Sequence, residues 1–371
     1  MCETSKKKVL ILIPRMGGGG AERVVSIVAN HLCAEEDYEI RLNVLVSGES
    51  FYPLDPRIDY RSAGFEVNRK NKLTRMISLG RNFLGAISYV KKVIREYRPD
   101  VVFSLLEEMD IVTYYALKDK RTCAFVCSER NDPTKRNKPL QKLLERIYKT
   151  VDLFVCQSQT VADYYSMVPE SVKTVVPNPI DFAKIPERVE ESKPPRVVAV
   201  GRLVKQKNFP MLIESFATVA AAHEDVTLTI YGEGPERGTL EAQIEALGLS
   251  DRIILAGAHK DVVNCVRDAA VFAMSSDYEG FPNALVEAIS VGVPVVTTDF
   301  PTGVGRELVT EKVGAVVDCG DAEAMAKALS DLLSDDERRA NIRAEGYRVT
   351  QPFAVENVIA MWQSLFDKLG E

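Results

Sequence analysis

No apolar run in this 371-residue chain approaches the ~20 residues that a membrane-crossing helix needs. The stretch nearest to a leader, Val9 to Ile13 after three lysines, stops at Pro14-Arg15, short of the ~7 to 15 apolar residues of a signal peptide. It reads as a buried first strand instead. Cysteine gives no framework: Cys2, Cys33, Cys123, Cys127, Cys156, Cys265 and Cys319 are odd in number and include no CxxC pair. Reduced core thiols in a cytoplasm fit that pattern. Histidine occurs only at 31, 223 and 259, and no GxSxG is present, so zinc clusters and a hydrolase triad have little support. No two aspartates are separated by one residue, so the Asp-x-Asp pair that would hold Mg²⁺ or Mn²⁺ is missing. No metal and no other cofactor is expected.

Each half of the chain is short of charge of one sign. Residues 1–180 carry 28 Lys and Arg against 22 Asp and Glu, and residues 181–371 carry 19 against 31, so the halves stand at +6 and −12. The basic half should face an anionic partner. Its cations are not interleaved with a stacking aromatic platform, which argues against nucleic acid. Residues 66–98 read as mainly helical, mixing Arg69, Lys70, Lys72, Arg75 and Arg81 with Met76, Ile77, Leu79, Phe83 and Leu84. A membrane-surface contact and an ordinary solvated helix face both fit this segment.

What is present is a repeated strand–helix rhythm. Short apolar runs at Val9 to Ile13, Ile40 to Val46, Asp100 to Leu105, Cys123 to Cys127, Asp152 to Cys156 and Val172 to Val176 read as strands of one parallel sheet. Val176-Pro-Asn-Pro-Ile-Asp181 opens a proline-rich, charged connection that runs to Pro194-Pro195. A second series follows near Val197 to Val200, Thr227 to Tyr231, Ile253 to Leu255, Val271 to Met274, Val293 to Thr297 and Ala315 to Val317. Two doubly wound α/β domains are therefore expected, residues 1–180 and 181–352. The final segment, Pro352 to Leu369, reads as a helix with Val358, Met361, Trp362, Leu365 and Leu369 on one stripe.

Two stretches carry chemistry. Gly17 to Gly20 turns the first strand into a helix over Ala21 to Leu32, and consecutive glycines let a backbone approach a ligand closely. A dinucleotide site is the rival reading of this loop, weakened because the third glycine position of GxGxxG is Glu22. The second stretch runs from Asp277 to Ala288, where Glu279 and Glu287 flank a turn that opens a helix near Asn283, read as its N-cap. Open N–H groups at Pro282 to Leu285 would suit a phosphate, with the two carboxylates accepting hydrogen bonds from sugar hydroxyls. The plain alternative is an amphipathic helix with Leu285, Ala288 and Ile289 inward and Glu287 solvated.

Glu279 to Glu287, together with Gly201-Arg-Leu-Val-Lys-Gln-Lys-Asn208 and the glycine run before Ala-Glu-Arg, resembles the motif set of glycosyltransferase family 4 (GT4), the retaining enzymes of the GT-B fold. The resemblance covers essentially the whole chain. It implies two Rossmann-like domains facing an interdomain cleft, with a C-terminal helix, 353–371, crossing back to an acceptor-binding first domain. The second domain would bind the nucleotide sugar, with a UDP-sugar as the expected donor. Arg202 and Lys207 would stabilise charge on the leaving diphosphate; Glu279 would meet the donor sugar and Glu287 the ribose. Gly257 would lie near the base, and Phe281, Pro282, Asn283, Ala284 and Leu285 near the phosphates. Gly18 and Gly19 would lie beside the donor phosphates and acceptor. Where many relatives present a histidine, this chain has Glu129, Arg130 and Asn131; Glu129 is a candidate catalytic group or a loop carboxylate paired with Arg130. The acceptor expected is a lipid-linked or surface glycan, met by a cytoplasmic protein peripheral to the membrane. A nucleotide-sugar epimerase and a non-catalytic nucleotide-sugar-binding subunit are the alternatives.

Overall fold

Runs of four or five mostly apolar residues become strands buried on both faces, as a parallel sheet covered by helices requires. The computed structural model describes residues 6–65, 72–185, 191, 193–259 and 261–369, and described side chains of the helix Lys72–Tyr97 begin at Asn82. Arg69 and Lys70, and the side chains of Lys72, Arg75, Met76, Ile77, Leu79 and Arg81, lie outside that description. The chain divides into two units, Met1–Pro179 with Glu356–Glu371, and Ile180–Val355.

The first unit holds β1 (Lys7–Ile13), β2 (Tyr38–Val46), β3 (Asp59–Phe65), β4 (Val101–Leu105), β5 (Ala124–Ser128), β6 (Leu153–Cys156) and β7 (Lys173–Val175). All are parallel, in the order β3-β2-β1-β4-β5-β6-β7, with Ile11 of β1 opposite both Leu42 and Phe103. The order reverses direction between β1 and β4, and loops at the carboxyl ends of two such strands part to leave room for a ligand. Strand β3 was not anticipated. Its Asp-Tyr-Arg-Ser-Ala-Gly-Phe has no apolar run because it is an edge strand, where Asp59 pairs with Arg41 and Arg61.

The last helix, Val355–Asp367, lies on this sheet. Trp362 and Phe366 are fully buried, with ring centroids 4.7 and 5.8 Å from that of Phe103. The Lys7 ammonium donates to the carbonyls of Phe366, Asp367 and Leu369 at 2.7 to 3.0 Å, closing the helix's C-terminal end. The expected stripe needs correcting. Val358, Ile359, Trp362 and Phe366 form the buried face, while Met361 is 37% exposed and Leu365 half-buried, because a 3.6-residue period carries 358 to 362 and 366.

The second unit holds β8 (Arg196–Val200), β9 (Thr227–Tyr231), β10 (Ile253–Gly257), β11 (Val271–Met274), β12 (Val295–Thr298) and β13 (Gly314–Val317). They too are parallel, ordered β10-β9-β8-β11-β12-β13, so this sheet reverses between β8 and β11. Its core joins Val197, Ala199, Leu228 and Ile230 to Leu212 and Phe216 of the helix Phe209–Ala222 and to Met325 and Leu329 of the helix Ala322–Leu333. Each such fully buried side chain contributes about 1.5 to 3 kcal/mol.

Candidate active site

In the second unit, the loops leaving β8 and β11 meet where the strand order reverses, and hydrogen bonds sew them together. The Asp277 N–H donates to the Gln206 carbonyl (2.8 Å), the Ser275 hydroxyl to the Lys207 carbonyl (2.8 Å), and the Gln206 amide to the Tyr278 carbonyl (2.8 Å). Asn208 takes a left-handed backbone (φ 44°), which turns its side chain to cap the helix Phe209–Ala222 while its Nδ2 donates to Asp277. At this seam the Lys207 ammonium stands 2.5 Å from Glu279 Oε1, with both side chains largely buried. Glu279 also accepts from the Ser276 hydroxyl at 2.7 Å, and Thr302 donates to its carbonyl at 3.2 Å. Arg202 is exposed and makes no side-chain hydrogen bond or ion pair among the described residues; Lys205 is exposed too. One guanidinium is thus left open beside an internally satisfied Lys–Glu pair.

Glycine makes this approach of loops possible. A Cβ on Gly232 would stand 1.8 Å from the Gly201 carbonyl oxygen, and one on Gly234 would stand 2.3 Å from that of Leu203. Gly257, at φ +82°, ends β10 and bridges to Gly232, and Glu233 next to it pairs with Arg237. Gly257 thus reaches the same edge of the sheet.

The helix Asn283–Ser290 begins with Asn283 as its first residue, and Pro282 occupies the N-cap position without a side-chain hydrogen bond. The expected cap at Asn283 is corrected on this point. The Asn283 N–H donates to the Phe281 carbonyl and the Leu285 and Val286 N–H groups to that of Pro282, while the Ala284 N–H makes no hydrogen bond among the described residues. An uncapped helix start offers donors and a positive dipole end to an anion. Leu285, Ala288 and Ile289 face inward, but so does Glu287, which is only 5% exposed rather than solvated. The helix Asp336–Thr350 presses on this one at Gly346, where a Cβ would lie 2.2 Å from the Ile289 carbonyl oxygen. Glu287 therefore sits on a helix backed closely by another.

In the first unit, Glu129, Arg130 and Asn131 follow β5 at its carboxyl end. Glu129 is 2% exposed and saturated: Arg136 donates to both oxygens (2.5 and 2.7 Å), the Tyr165 hydroxyl to Oε2 (2.5 Å), and the Arg130 and Asn131 N–H groups to Oε1 (3.0 Å each). Burial opposes ionisation there, yet the Arg136 charge and these donors hold the carboxyl below its ordinary value. The expected pairing with Arg130 is replaced by pairing with Arg136, which also reaches Glu107. Arg130 instead donates to Asn178 (2.6 Å), with Nε and Nη2 buried and unpartnered, and burial draws its guanidinium down to about 10. Asn131 is exposed. Gly18 and Gly19 follow β1, leading into the helix Gly20–Ala34, whose N-cap Gly19 has no side-chain bond.

Ser276, Arg136 and Tyr165 escaped the sequence reading, and Gln206 and Asn208 entered it only as members of the Gly201–Asn208 stretch. The place of Ser276 after β11 could have signalled it; Arg136 and Tyr165 reach Glu129 from separate elements, which no local pattern reports.

Two parallel-sheet units of this kind in one chain, each with its order reversed beside the first strand, make the GT-B fold of glycosyltransferases. The sucrose-phosphate synthase of Thermosynechococcus elongatus superposes with a TM-score of 0.81 at 16% identity, covering 98% of this chain and 99% of that one. Anabaena HepE, solved in complex with UDP, superposes with a TM-score of 0.79 at 18% identity, covering 98% and 100%. A family model described as Glycosyltransferase Family 4 matches residues 18–184, and one described as Glycosyl transferases group 1 matches residues 181–349. The chain belongs to glycosyltransferase family 4 and is a glycosyltransferase. Among curated relatives it is 26% identical to the α-1,4-N-acetyl-D-galactosaminyltransferase of Campylobacter jejuni named for a PP-undecaprenol-linked glycan, over 96% of this chain and 98% of that one. It is 25% identical to the amylovoran biosynthesis glycosyltransferase AmsD of Erwinia amylovora, over 97% and 99%.

Proposed function

We propose that this chain is a retaining glycosyltransferase that moves a hexose or N-acetylhexosamine from a UDP-sugar to a lipid-linked or surface-glycan acceptor. The observation that carries the reading is the Lys207–Glu279 pair, 2.5 Å apart beside the exposed Arg202, at the point where the second sheet reverses. In this reading the bond from the sugar's anomeric carbon to the β-phosphate oxygen breaks, and negative charge grows on the diphosphate. Arg202 and Lys207 meet that charge with preorganised donors, and the Ala284 N–H at the helix start meets the rest. Glu279 orients Lys207 and accepts a hydroxyl of the donor sugar; Glu287 accepts from the ribose. The acceptor oxygen bonds to the anomeric carbon on the face the diphosphate leaves, and its proton passes to the departing phosphate. No protein nucleophile takes part, and Glu129, with five donors on its two oxygens, anchors the loop that carries Arg130 and Asn131.

The named relatives support this donor and acceptor: HepE was solved in complex with UDP, and the Campylobacter enzyme is named for a PP-undecaprenol-linked glycan. The charge of +6 on residues 1–180 supports a peripheral contact with an anionic membrane from the cytoplasmic side, and among the described residues no helix is long and apolar enough to cross one. The test is a thermal-shift screen of purified protein against UDP-, GDP- and ADP-sugars, followed by product analysis with the stabilising donor. Stabilisation by UDP-sugars with transfer and retained anomeric configuration is expected. Inversion, an epimerised donor, or binding without transfer would each refute the reading.

A further inference from the structure

Arg130 carries a charge that its surroundings leave unmet. It follows β5 at the carboxyl end of the first sheet and is 7% exposed. Its Nη1 donates to Asn178 Oδ1 at 2.6 Å, and the Gln157 amide donates to the same oxygen at 3.1 Å. Loops after β5, β6 and β7 thus fix one end of the guanidinium. The other edge, Nε and Nη2, is buried without a hydrogen-bond partner, and Arg130 forms no ion pair among the described residues. Its acidic neighbours are turned elsewhere. Glu129 is committed to Arg136, Tyr165 and two backbone N–H groups, while Asp132 accepts from Thr134 at Oδ1 and keeps Oδ2 buried and without a partner among the described residues.

Nε and Nη2 present two parallel N–H groups, the fork that a carboxylate or phosphate meets with two oxygens. A buried cation without acceptors costs stability, and the fold does not need this one, because Asn178 would keep the Gln157 amide in its absence. A buried donor pair left unmet in this way is explained by a ligand that brings the acceptors. A histidine, which many relatives present in this loop, has no such fork. We propose that Arg130 holds an oxyanion of the acceptor, a phosphate or a carboxylate, through Nε and Nη2. The inference rests on the reading above that the chain passes a sugar to a glycan acceptor; it adds which group of that acceptor is gripped and by which edge of which side chain. The cover over the fork must part to admit the oxyanion, and the pair then lies away from water, where charge-assisted hydrogen bonds are strongest.

The test uses the full chain with its donor site saturated by UDP, so that an added anion does not report on that site. Calorimetry would follow inorganic pyrophosphate, methyl α-glucuronide and, as the neutral control, methyl α-glucoside. Pyrophosphate or the glucuronide should bind the wild type, the first marking a phosphate and the second a carboxylate as the group held. The Kd of the anion that binds should rise about tenfold or more in Arg130→Met, and about threefold or more in Arg130→Lys, which keeps the charge without the fork. The UDP Kd should stay within about twofold in both variants, and the glucoside should not distinguish them from the wild type. The Tm of Arg130→Met should hold or rise, because no partner is stranded when the guanidinium goes. Neither anion binding the UDP-loaded wild type, or equal anion affinity in the wild type and Arg130→Met, would leave an internal water as the fork's only partner and overturn the proposal. If Arg130→Met does not fold, Arg130→Lys decides, an unchanged anion Kd overturning it. Failure of the wild type to bind UDP would count instead against the transferase reading, so the two failures are distinct.

Discussion

Lys207→Met should damage both stability and turnover, and a second substitution should separate the two. In the wild type the ammonium meets Glu279 at 2.5 Å, with side-chain exposures of 16% and 9%. Removing the cation leaves a buried carboxylate with the Ser276 hydroxyl (2.7 Å) and the distant Gln206 amide (3.4 Å). Breaking a buried pair from one side costs about 3 kcal/mol, at the low end of the usual range here because Ser276 still donates. Turnover should fall by about 10² to 10³, the usual loss when one preorganised donor is removed from a developing negative charge. Adding Glu279→Gln removes the stranded charge, so the double variant should recover about half or more of the lost stability and none of the lost rate.

The assay is a double-variant cycle in urea denaturation, run beside single-turnover sugar transfer. If the double variant is as unstable as Lys207→Met, the pair does not couple and the electrostatic account of the seam is wrong. If rate returns along with stability, Lys207 serves the fold rather than the leaving group.

The remaining expectations use other parts of the molecule. Arg202→Ala, at an exposed side chain without a partner among the described residues, should lower turnover about 10²-fold with almost no change in unfolding free energy; a large stability loss would contradict its placement. Glu287→Ala should weaken free UDP binding measured by calorimetry, whereas equal affinity would reject the ribose assignment. Transfer should survive EDTA, since in the proposed reading Arg202, Lys207 and a helix start serve the diphosphate; activity restored only by Mg²⁺ or Mn²⁺ would refute this. Asp110 is fully buried beneath Ser104 and Tyr148, and burial pushes its carboxyl up to about 8. The folded chain then keeps a proton that the unfolded chain releases, so stability should fall as pH rises from about 4 to 8. Asp110→Asn should flatten that slope in urea titrations at several pH values.

The readable and unreadable parts of this chain divide along a physical line. Strands β9 and β11 stand within their expected bounds because each is a β-branched or aromatic run closed by turn residues, and such runs carry their own signal. Strand β3 carries none, because an edge strand buries one face at most and uses arginines to close it. The C-terminal stripe was assigned with Met361 and Leu365 inward; burial of Ile359 and Phe366 shows that the phase of a helix is fixed by the surface it meets, here Phe103. At the candidate site, Arg202, Lys207, Glu279 and Glu287 were legible as a spaced motif. The Glu129–Arg136 pair was not, since the two residues are brought together across a loop and the start of the next helix.

The two sheets reverse in the same way, yet the loops at their reversals are built to different ends. In the second unit the seam between β8 and β11 uses backbone hydrogen bonds and one buried ion pair to fix its own members, and leaves Arg202 open. Rigid neighbours and one unsatisfied cation suit a group that must meet charge formed only in the transition state, because no energy is then spent reorganising donors. In the first unit the loop after β5 spends its acid on Arg136 and Tyr165. An acid with every lone pair engaged cannot take a proton in the reaction. The same residue type thus anchors a loop at position 129 and braces a lysine at position 279, and the difference lies in what the neighbouring elements deliver to it.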